Sequence, residues 1–402
     1  MSLQNPFRTL KHRDFRLLWT GEVLRTSAQW MDTLTRAFLV WELTESATQM
    51  ALVTAARSAP LLVMGLVAGV LADRVDRKRL LLASQSLNIT AHILVAALAF
   101  SGLIELWHIY LTAVIVGFGM AINAPARQSL IPSLVPADDL QAAVVLNTAT
   151  LNIGQAIGPV IGGAAIGILG LPGSFLVQAA MVAAAGLLIR RMVVPGRADR
   201  PAESWHRSAV DGFHYLAGHR LLLALFVLSL VPLILVQPFR GVVPAITVQQ
   251  LMADATLTGL LMAVLGLGAL TSVLALASLP PVSQPWRHIV ISAAVFSLGI
   301  AVFAVSLNLA LSAAALFIAG LAQANNRTLT QSLLLAETED AFRGRISSLW
   351  VVNRGTLPLG SLLLAAATTW WGDATAMAAM GIASLVITMA VAAATPRLWS
   401  RP

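Results

Sequence analysis

Five polar or charged residues in the first long apolar stretch could bind ions: Glu22, Arg25, Gln29, Asp32 and Arg36. At about 100° per residue in an α-helix they fall within an arc of about 80°, so they form one polar stripe on an apolar helix. A buried carboxylate can bind and release a proton, and a guanidinium can hold an anion. Because charges are costly in lipid, the stripe is predicted to face the protein interior. Asp32 is the first candidate for proton coupling and Glu22 the second.

Positive charges outnumber negative charges in the apolar stretches. Apart from basic residues at predicted cytoplasmic ends, six arginines stand against two carboxylates. An unpaired buried guanidinium is costly, so this excess predicts an anionic ligand. Two alternatives remain open: Arg36, Arg57 and Arg354 could extend to lipid headgroups, and the carboxylates could form structural ion pairs. The candidates for ligand binding are Arg25, Gln29, Arg36, Gln237, Arg240, Gln323, Asn326, Arg327 and Arg354.

The elements that must position these residues follow from composition. Hydrophobic residues make up 57% of the 402 residues and charged residues 11%, and the mean hydropathy is +0.80. A soluble protein of this length needs more polar surface, so the solvent is predicted to be lipid. A helix of about 20 apolar residues crosses a bilayer. Twelve such spans are predicted, at 17–41, 49–72, 80–101, 107–127, 143–168, 173–192, 220–246, 258–279, 288–306, 308–333, 346–370 and 374–394.

The net charge of +8 does not indicate nucleic-acid binding, because the positions of the basic residues follow the orientation of the chain in the membrane. Basic residues, Arg127 among them, lie at alternate span ends, which the positive-inside rule places in the cytoplasm. Both termini are therefore predicted to be cytoplasmic. The chain has no cysteine, which excludes thiol catalysis and thiolate metal sites. His92 lies in the middle of a predicted span, where a packed role is favoured over a proton relay.

The chain is predicted to consist of two six-helix halves. The longest polar segment, 193–219, contains an amphipathic stretch and separates a bundle at 1–192 from one at 220–402. The octapeptides at 123–130 and 326–333 share Asn, Gln, Ser and Leu at an offset of 203 residues, which indicates parallel repeats.

The most specific motif joins the second and third spans. It reads Gly-Val-Leu-Ala-Asp-Arg-Val-Asp-Arg-Lys-Arg from Gly69 to Arg79. A run that served only to set the orientation in the membrane would need its basic residues but not Gly69 or Asp73. The run resembles the loop signature of the major facilitator superfamily, with Asp76 where the general signature has glycine, and this variant is similar to the branch that contains the enterobactin exporters. The resemblance implies a conformational latch formed by Gly69, Asp73, Arg74, Asp76, Arg77, Lys78, Arg343 and Arg345.

A second motif lies in the fifth span. Gly154, Gly158 and Gly162 recur every four residues beside Pro159 and Gly163, and small residues at this spacing allow helices to approach closely. The run resembles the fifth-span signature associated with export by antiport in the superfamily. A generic packing face would look similar.

The resemblance implies an all-α integral membrane protein with the major facilitator fold, whose first, fourth, seventh and tenth spans line a central cavity. We expect a proton-coupled exporter of a small amphipathic or anionic metabolite, siderophore-like or drug-like. The setting would be a bacterial cytoplasmic (inner) membrane, the partners lipid, substrate and protons, and the state a monomer with no cofactor. Importer, lipid flippase and membrane sensor are the alternatives. With no phosphate loop, metal-ligand spacing or catalytic triad, an enzyme is not expected.

Overall fold

A computed structural model describes residues 6–74, 76–194, 213–278, 282–339, 342, 346, 353 and 355–395. These residues form helices and short connections. The helices are α1 (Arg13–Thr44), α2 (Ala47–Arg74), α3 (Arg77–Phe100), α4 (Leu106–Leu130), α5 (Leu140–Arg190), α6 (Arg220–Leu235), α7 (Val243–Leu251), α8 (Ala255–Ser278), α9 (Pro285–Val305), α10 (Leu309–Ala336), α11 (Leu357–Trp371) and α12 (Asp373–Ala394).

The helix bounds follow the predicted spans closely. Within the described residues, eight helices are long and apolar enough to cross a membrane, and α11 is a shorter apolar helix. The helix α5 contains two predicted spans, because Gly170 interrupts it with a φ of 70° and a ψ of 175°. Glycine adopts a positive φ without a Cβ clash, so a sharp break occurs here and separates two arms. The helices are consistent with twelve spans.

The predicted seventh span is broken. The helix α6 ends at Leu235, a 3₁₀ turn occupies Gln237–Gly241, and α7 begins at Val243. Prolines at 232, 238 and 244 explain the break, because proline lacks the backbone N–H that continues a helix. The turn carries two of the predicted ligand-binding side chains.

The chain divides into two compact units. The first unit contains residues 1–39 and 56–202, and the second contains residues 40–55 and 203–402. In the first unit α3 packs against α4 and α5; in the second, α10 packs against α8 and α9, and α12 against α9 and α6. The predicted division into 1–192, 193–219 and 220–402 stays a prediction, and residues 195–212 of its linker lie outside the described residues.

Candidate functional site

A first charged centre surrounds Glu22 on α1. Oε1 of Glu22 lies 2.6 Å from the NH2 atom of Arg25 and 3.2 Å from Nε of Arg127 on α4. The NH1 atom of Arg25 also donates to Oε1 of Gln29 at 2.8 Å, and Arg127 donates to Oδ1 of Asn147 on α5. Glu22, Arg25 and Arg127 are all buried. The carboxylate therefore compensates two guanidinium charges inside the first unit.

A second centre surrounds Asp32, about three helical turns further along α1. The NH2 atom of Arg36 lies 2.9 Å from Oδ1 of Asp32, and the NH1 atom of Arg57 on α2 lies 3.4 Å from Oδ2. Nε2 of His92 on α3 lies 3.5 Å from Oδ1. Arg36 also donates to the hydroxyl of Thr112 on α4 at 2.9 Å. The centre thus joins α1, α2, α3 and α4, and Asp32 has no exposed surface.

Both centres are built on α1, because this helix presents their residues on one face. Neighbours three or four positions apart on a helix lie side by side, which is the spacing from Glu22 to Arg25 and from Asp32 to Arg36. The predicted polar stripe is therefore present as a buried surface of α1. It is divided into two ion-pair centres, and Gln29 lies between them.

Two arginines differ from their sequence interpretation. Arg57 was a candidate for reaching lipid headgroups, but its guanidinium points to Asp32 and also donates to the hydroxyl of Thr33 at 2.9 Å. Arg127 was grouped with the cytoplasmic basic residues, but it is buried beside Glu22. The helix α4 continues to Leu130, so Arg127 lies inside it and not at its end.

The second unit places its arginines among amides. The NH2 atom of Arg240, in the 3₁₀ turn, donates to Oε1 of Gln323 on α10 at 2.7 Å, and Nε2 of Gln323 donates to Oε1 of Gln237. Arg327 lies one helical turn beyond Gln323 and is exposed, and its positive charge repels that of Arg240. The six predicted spans of this half contain no Asp or Glu. The turn and α10 thus bring together four of the predicted ligand-binding residues.

The two remaining candidates of the second half have different outcomes. Asn326 is buried, and its Nδ2 atom donates to the carbonyl of Ile289 on α9 at 3.0 Å, so this amide joins two helices. Arg354 lies outside the described residues. The repeat partner of Asn326 is Asn123 on α4, which is also buried; neither of its amide atoms has a hydrogen-bond partner in the described part of the chain.

The predicted latch is described only in part. Asp76 caps α3, because its Oδ1 accepts a hydrogen bond from the backbone N–H of Arg79 at 2.8 Å. Nζ of Lys78 donates to the carbonyls of Arg190 and Met192 at 2.9 Å and 2.6 Å, which places a cation at the C-terminus of α5. Arg77 lies in the first turn of α3. The side chains of Gly69, Asp73 and Arg74, and residues Arg343 and Arg345, lie outside the described residues.

The glycines of the fifth span face α1. A Cβ atom added at Gly154 would lie 2.7 Å from Cβ of Thr26, and one at Gly158 would lie 2.5 Å from the carbonyl oxygen of Ser27. At Gly162 the nearest atom would be Cγ of Met31 at 3.2 Å. These three positions therefore let α5 approach the helix that carries both ion-pair centres. Pro159 lies inside the same arm, next to Gly158, and Gly163 follows Gly162.

Metal binding finds no support in this arrangement. Among the residues that the structure describes, no group of three or more His, Asp or Glu side chains could hold a metal ion. What the site offers is buried ion pairs in the first unit and guanidinium and amide donors in the second, a combination suited to holding charged or polar small molecules and protons.

Comparisons with known proteins agree on a transport protein. Residues 4–399 match the family model described as transmembrane secretion effector, a family of the major facilitator superfamily. The chain is 26% identical over 383 residues to the staphyloferrin A transporter of Staphylococcus aureus, covering 93% of this chain and 94% of that protein. It is 26% identical over 317 residues to the enterobactin exporter of Citrobacter koseri, covering 78% and 75%.

Solved structures show the same fold. A bacterial homologue of the human lysosomal transporter Spinster, in an inward-facing and unoccupied conformation, has a TM-score of 0.74 at 15% identity, covering 98% of each chain. The nucleoside transporter NupG has a TM-score of 0.74 at 13% identity, covering 96% of this chain and 99% of that one. At these identities the likeness concerns the fold, which is that of major facilitator transporters.

Proposed function

The chain belongs to the transmembrane secretion effector family of major facilitator transporters, and we propose that it exports a small anionic metabolite of the siderophore type in exchange for protons. Transport across a membrane follows from the family. The substrate class is carried by one observation: Arg240 and Arg327 come together with Gln323 and Gln237 in a half whose predicted spans contain no carboxylate. The named substrates of two relatives, staphyloferrin A and enterobactin, support the same class.

The proposed substrate contacts lie in the second unit. A guanidinium binds an anionic oxygen through two parallel hydrogen bonds, and amide side chains fix the orientation of further polar groups. Arg240 is already held by Gln323, so its guanidinium loses little freedom on binding. A bound anion would also reduce the repulsion between Arg240 and Arg327. Arg25, Gln29 and Arg36 on α1 stay predicted contacts of the first unit.

Proton coupling is proposed to occur at the Asp32 centre, with the Glu22 centre as the second candidate. A charged cluster buried at membrane depth marks an ion pathway more often than a stabilising element, because its desolvation is costly. The fifth-span motif associated with export packs through its glycines against α1, the helix that carries both centres. The protein would act as a monomer in the bacterial cytoplasmic membrane, with both termini in the cytoplasm, by alternating access around a midplane site.

Proteoliposomes test this proposal directly. Staphyloferrin A, enterobactin, a cationic dye and a lysophospholipid would be offered to the purified protein with and without an imposed pH gradient. We expect one of the two siderophores to move against its gradient when protons move the other way, and the dye and the lysophospholipid to be ignored. Transport of the dye alone would contradict the anionic class. Lysophospholipid transfer would indicate a flippase, and siderophore movement with the proton gradient an importer.

A further inference from the structure

His92 has an unusual setting for a buried histidine. Its side chain is 2% exposed, and neither ring nitrogen makes a hydrogen bond to the residues that the structure describes. Nε2 nevertheless lies 3.5 Å from Oδ1 of Asp32, slightly beyond a normal hydrogen bond. A histidine that served only to pack would be expected to satisfy at least one ring nitrogen. The ring is placed where a small shift, or an added proton, completes a contact with a carboxylate.

The groups facing His92 define its electrostatic surroundings. From α1 it meets Asp32, which is paired with Arg36, and from α2 comes the guanidinium of Arg57. From α4, Thr112 contacts Arg36, and from α5 the ring of Phe175 lies 6.4 Å from the imidazole ring. Of these neighbours, Asp32 is the acid and the two arginines are permanent cations. Asp32 and His92 are therefore the two groups of the centre that could bind a proton.

The contacts of Asp32 indicate whether a proton binds to Asp32 or to His92. An unperturbed imidazole has a pKa of about 6.5 and an unperturbed aspartate about 3.9, so the imidazole is the better base at the outset. Asp32 contacts two guanidiniums, and a proton on Asp32 would leave both without a counter-charge. A proton on His92 adds the same net charge to the centre but keeps the carboxylate between the cations. The lower-cost position for the proton is thus the imidazole.

A buried polar stripe on α3 leads away from His92. It consists of Ser84, Gln85, Asn88 and His92, which fall on one face of the helix within about 100°. All four side chains are buried, and each has at least one polar atom with no hydrogen-bond partner among the described residues. From Ser84 to His92 the stripe runs about 12 Å, at about 1.5 Å per residue, toward the end of α3 that follows the predicted cytoplasmic loop.

Glycines border this stripe on two neighbouring helices. A Cβ atom at Gly119 on α4 would lie 2.5 Å from Oδ1 of Asn88, and one at Gly186 on α5 would lie 3.7 Å from Cβ of Gln85. Buried polar atoms without protein partners are ordinarily satisfied by internal water, at about one water per 27 residues in folded proteins. A row of such atoms can order a chain of water molecules.

We propose that His92 binds the coupled proton while Asp32 stays ionised beside it, and that the stripe Ser84–Gln85–Asn88 conducts this proton between His92 and the cytoplasmic end of α3. The inference rests on the proton coupling proposed above and assigns it to one imidazole. One ring nitrogen of His92 takes up a proton, and the same nitrogen returns it to the stripe. The carboxylate acts as a fixed counter-charge, so Asp32 is a positioning residue for the proton.

Imidazole nitrogen NMR tests the assignment without a substrate. The protein would carry ¹⁵N-histidine in lipid nanodiscs, and the His92 signal would be identified by its loss in His92→Gln; His288→Gln, which removes an exposed histidine, is the matched control. We expect the His92 signal to pass from the protonated to the neutral form as the pH is raised over the range in which the protein stays folded. A His92 ring that keeps one protonation state over that range would overturn the inference.

Transport separates this inference from the proposed function. In proteoliposomes offered staphyloferrin A and enterobactin, His92→Gln is expected to lose the acceleration by a pH gradient but to keep exchange of substrate across the membrane. Asn88→Leu, which leaves His92 in place, should slow only the gradient-driven rate. Full gradient-driven transport by His92→Gln would overturn the role of His92 and leave proton antiport intact. Wild-type transport that ignores the gradient would instead overturn the antiport itself.

Discussion

The two units treat their buried arginines differently. In the first unit Glu22 contacts Arg25 and Arg127, and Asp32 contacts Arg36 and Arg57, so that each carboxylate compensates two cations of the same unit. In the second unit Arg240 binds the amide of Gln323, and the predicted spans supply no acid.

We expect this difference to give the two units different roles. A charge that is compensated within its own bundle is present in every state of the protein, and its removal should damage folding and coupling. Arg240 donates to a neutral amide of the second unit, and we expect its removal to damage binding. The predictions below test whether stability and binding separate in this way.

We expect the largest effect on stability and transport from Asp32→Asn. The substitution leaves Arg36 and Arg57 buried without their counter-charge, which typically costs about 3–5 kcal/mol. We expect a strongly lowered melting temperature together with the loss of gradient-driven transport, measured by thermal unfolding in detergent and by proteoliposome uptake. Asp138→Asn, at an exposed position, is the matched control and should behave as the wild type. A variant as stable as the wild type would show that the ion pairs of the first unit are not structural.

The second prediction concerns Arg240→Gln. Loss of a hydrogen bond to a charged group costs about 1.5–3 kcal/mol, which corresponds to a roughly ten- to hundredfold weaker Kd. Isothermal titration with whichever of staphyloferrin A and enterobactin is transported measures this effect, and the melting temperature should change little. Arg57→Gln is expected to do the reverse, with lowered stability and nearly unchanged binding. Arg220→Gln, at an exposed position, is the control for the change in overall charge. Equal losses of substrate affinity in Arg240→Gln and Arg57→Gln would contradict the distinction between the units.

Sequence periodicity predicted the helices and the stripe of α1 well. A span needs about 20 apolar residues, and the cost of buried charge requires its polar residues to share a face. Both patterns can be recognised from residues that are close together in the sequence. The break in the seventh span was also readable, because proline interrupts a helix wherever it occurs in the interior.

What the sequence did not predict are contacts between helices. The pairing of Arg127 with Glu22 and of Arg57 with Asp32 depends on which faces of α1, α2 and α4 meet, and no local spacing specifies that. The stripe on α3 was missed except for His92. Its spacing was visible, but Ser84, Gln85 and Asn88 carry no charge, and a count restricted to charged residues passes over them.

A third prediction tests how the first unit is packed around its charges. In Gly158→Ala the new Cβ would meet the backbone carbonyl of Ser27 at 2.5 Å, and overpacking of this kind typically costs about 1–3 kcal/mol. Since α1 carries both carboxylates, displacement of this helix should lower thermal stability and slow gradient-driven transport together. Gly218→Ala is the control, because no atom would lie within 4 Å of its Cβ. Equal stability of the two variants would argue against a close contact between α5 and α1.

The smallest effect is expected at a carboxylate of the first unit that lies before the predicted fifth span. Asp139 accepts hydrogen bonds from His12, Lys11 and Arg8, and these lower the pKa of its carboxyl to about 2, although burial raises it. Asp139 lies 2.8 Å from Nε2 of His12 and 2.5 Å from the NH2 atom of Arg8. These contacts connect the 3₁₀ turn Pro6–Lys11 and His12 to the segment before α5. Lys11 is largely exposed, and salt screens such a cluster.

Since the folded pKa of Asp139 lies below the ordinary value of about 3.9, the cluster stabilises the protein above about pH 4. This stabilisation is lost as the pH falls toward about 2. Asp139→Asn should therefore lower the melting temperature slightly at neutral pH, and the difference from wild type should shrink with acid and with added salt. Thermal unfolding over both series measures this, with Asp138→Asn as the control. A difference that persists at high salt would place Asp139 with the deeply buried carboxylates Glu22 and Asp32, whose ion pairs are much less accessible to screening.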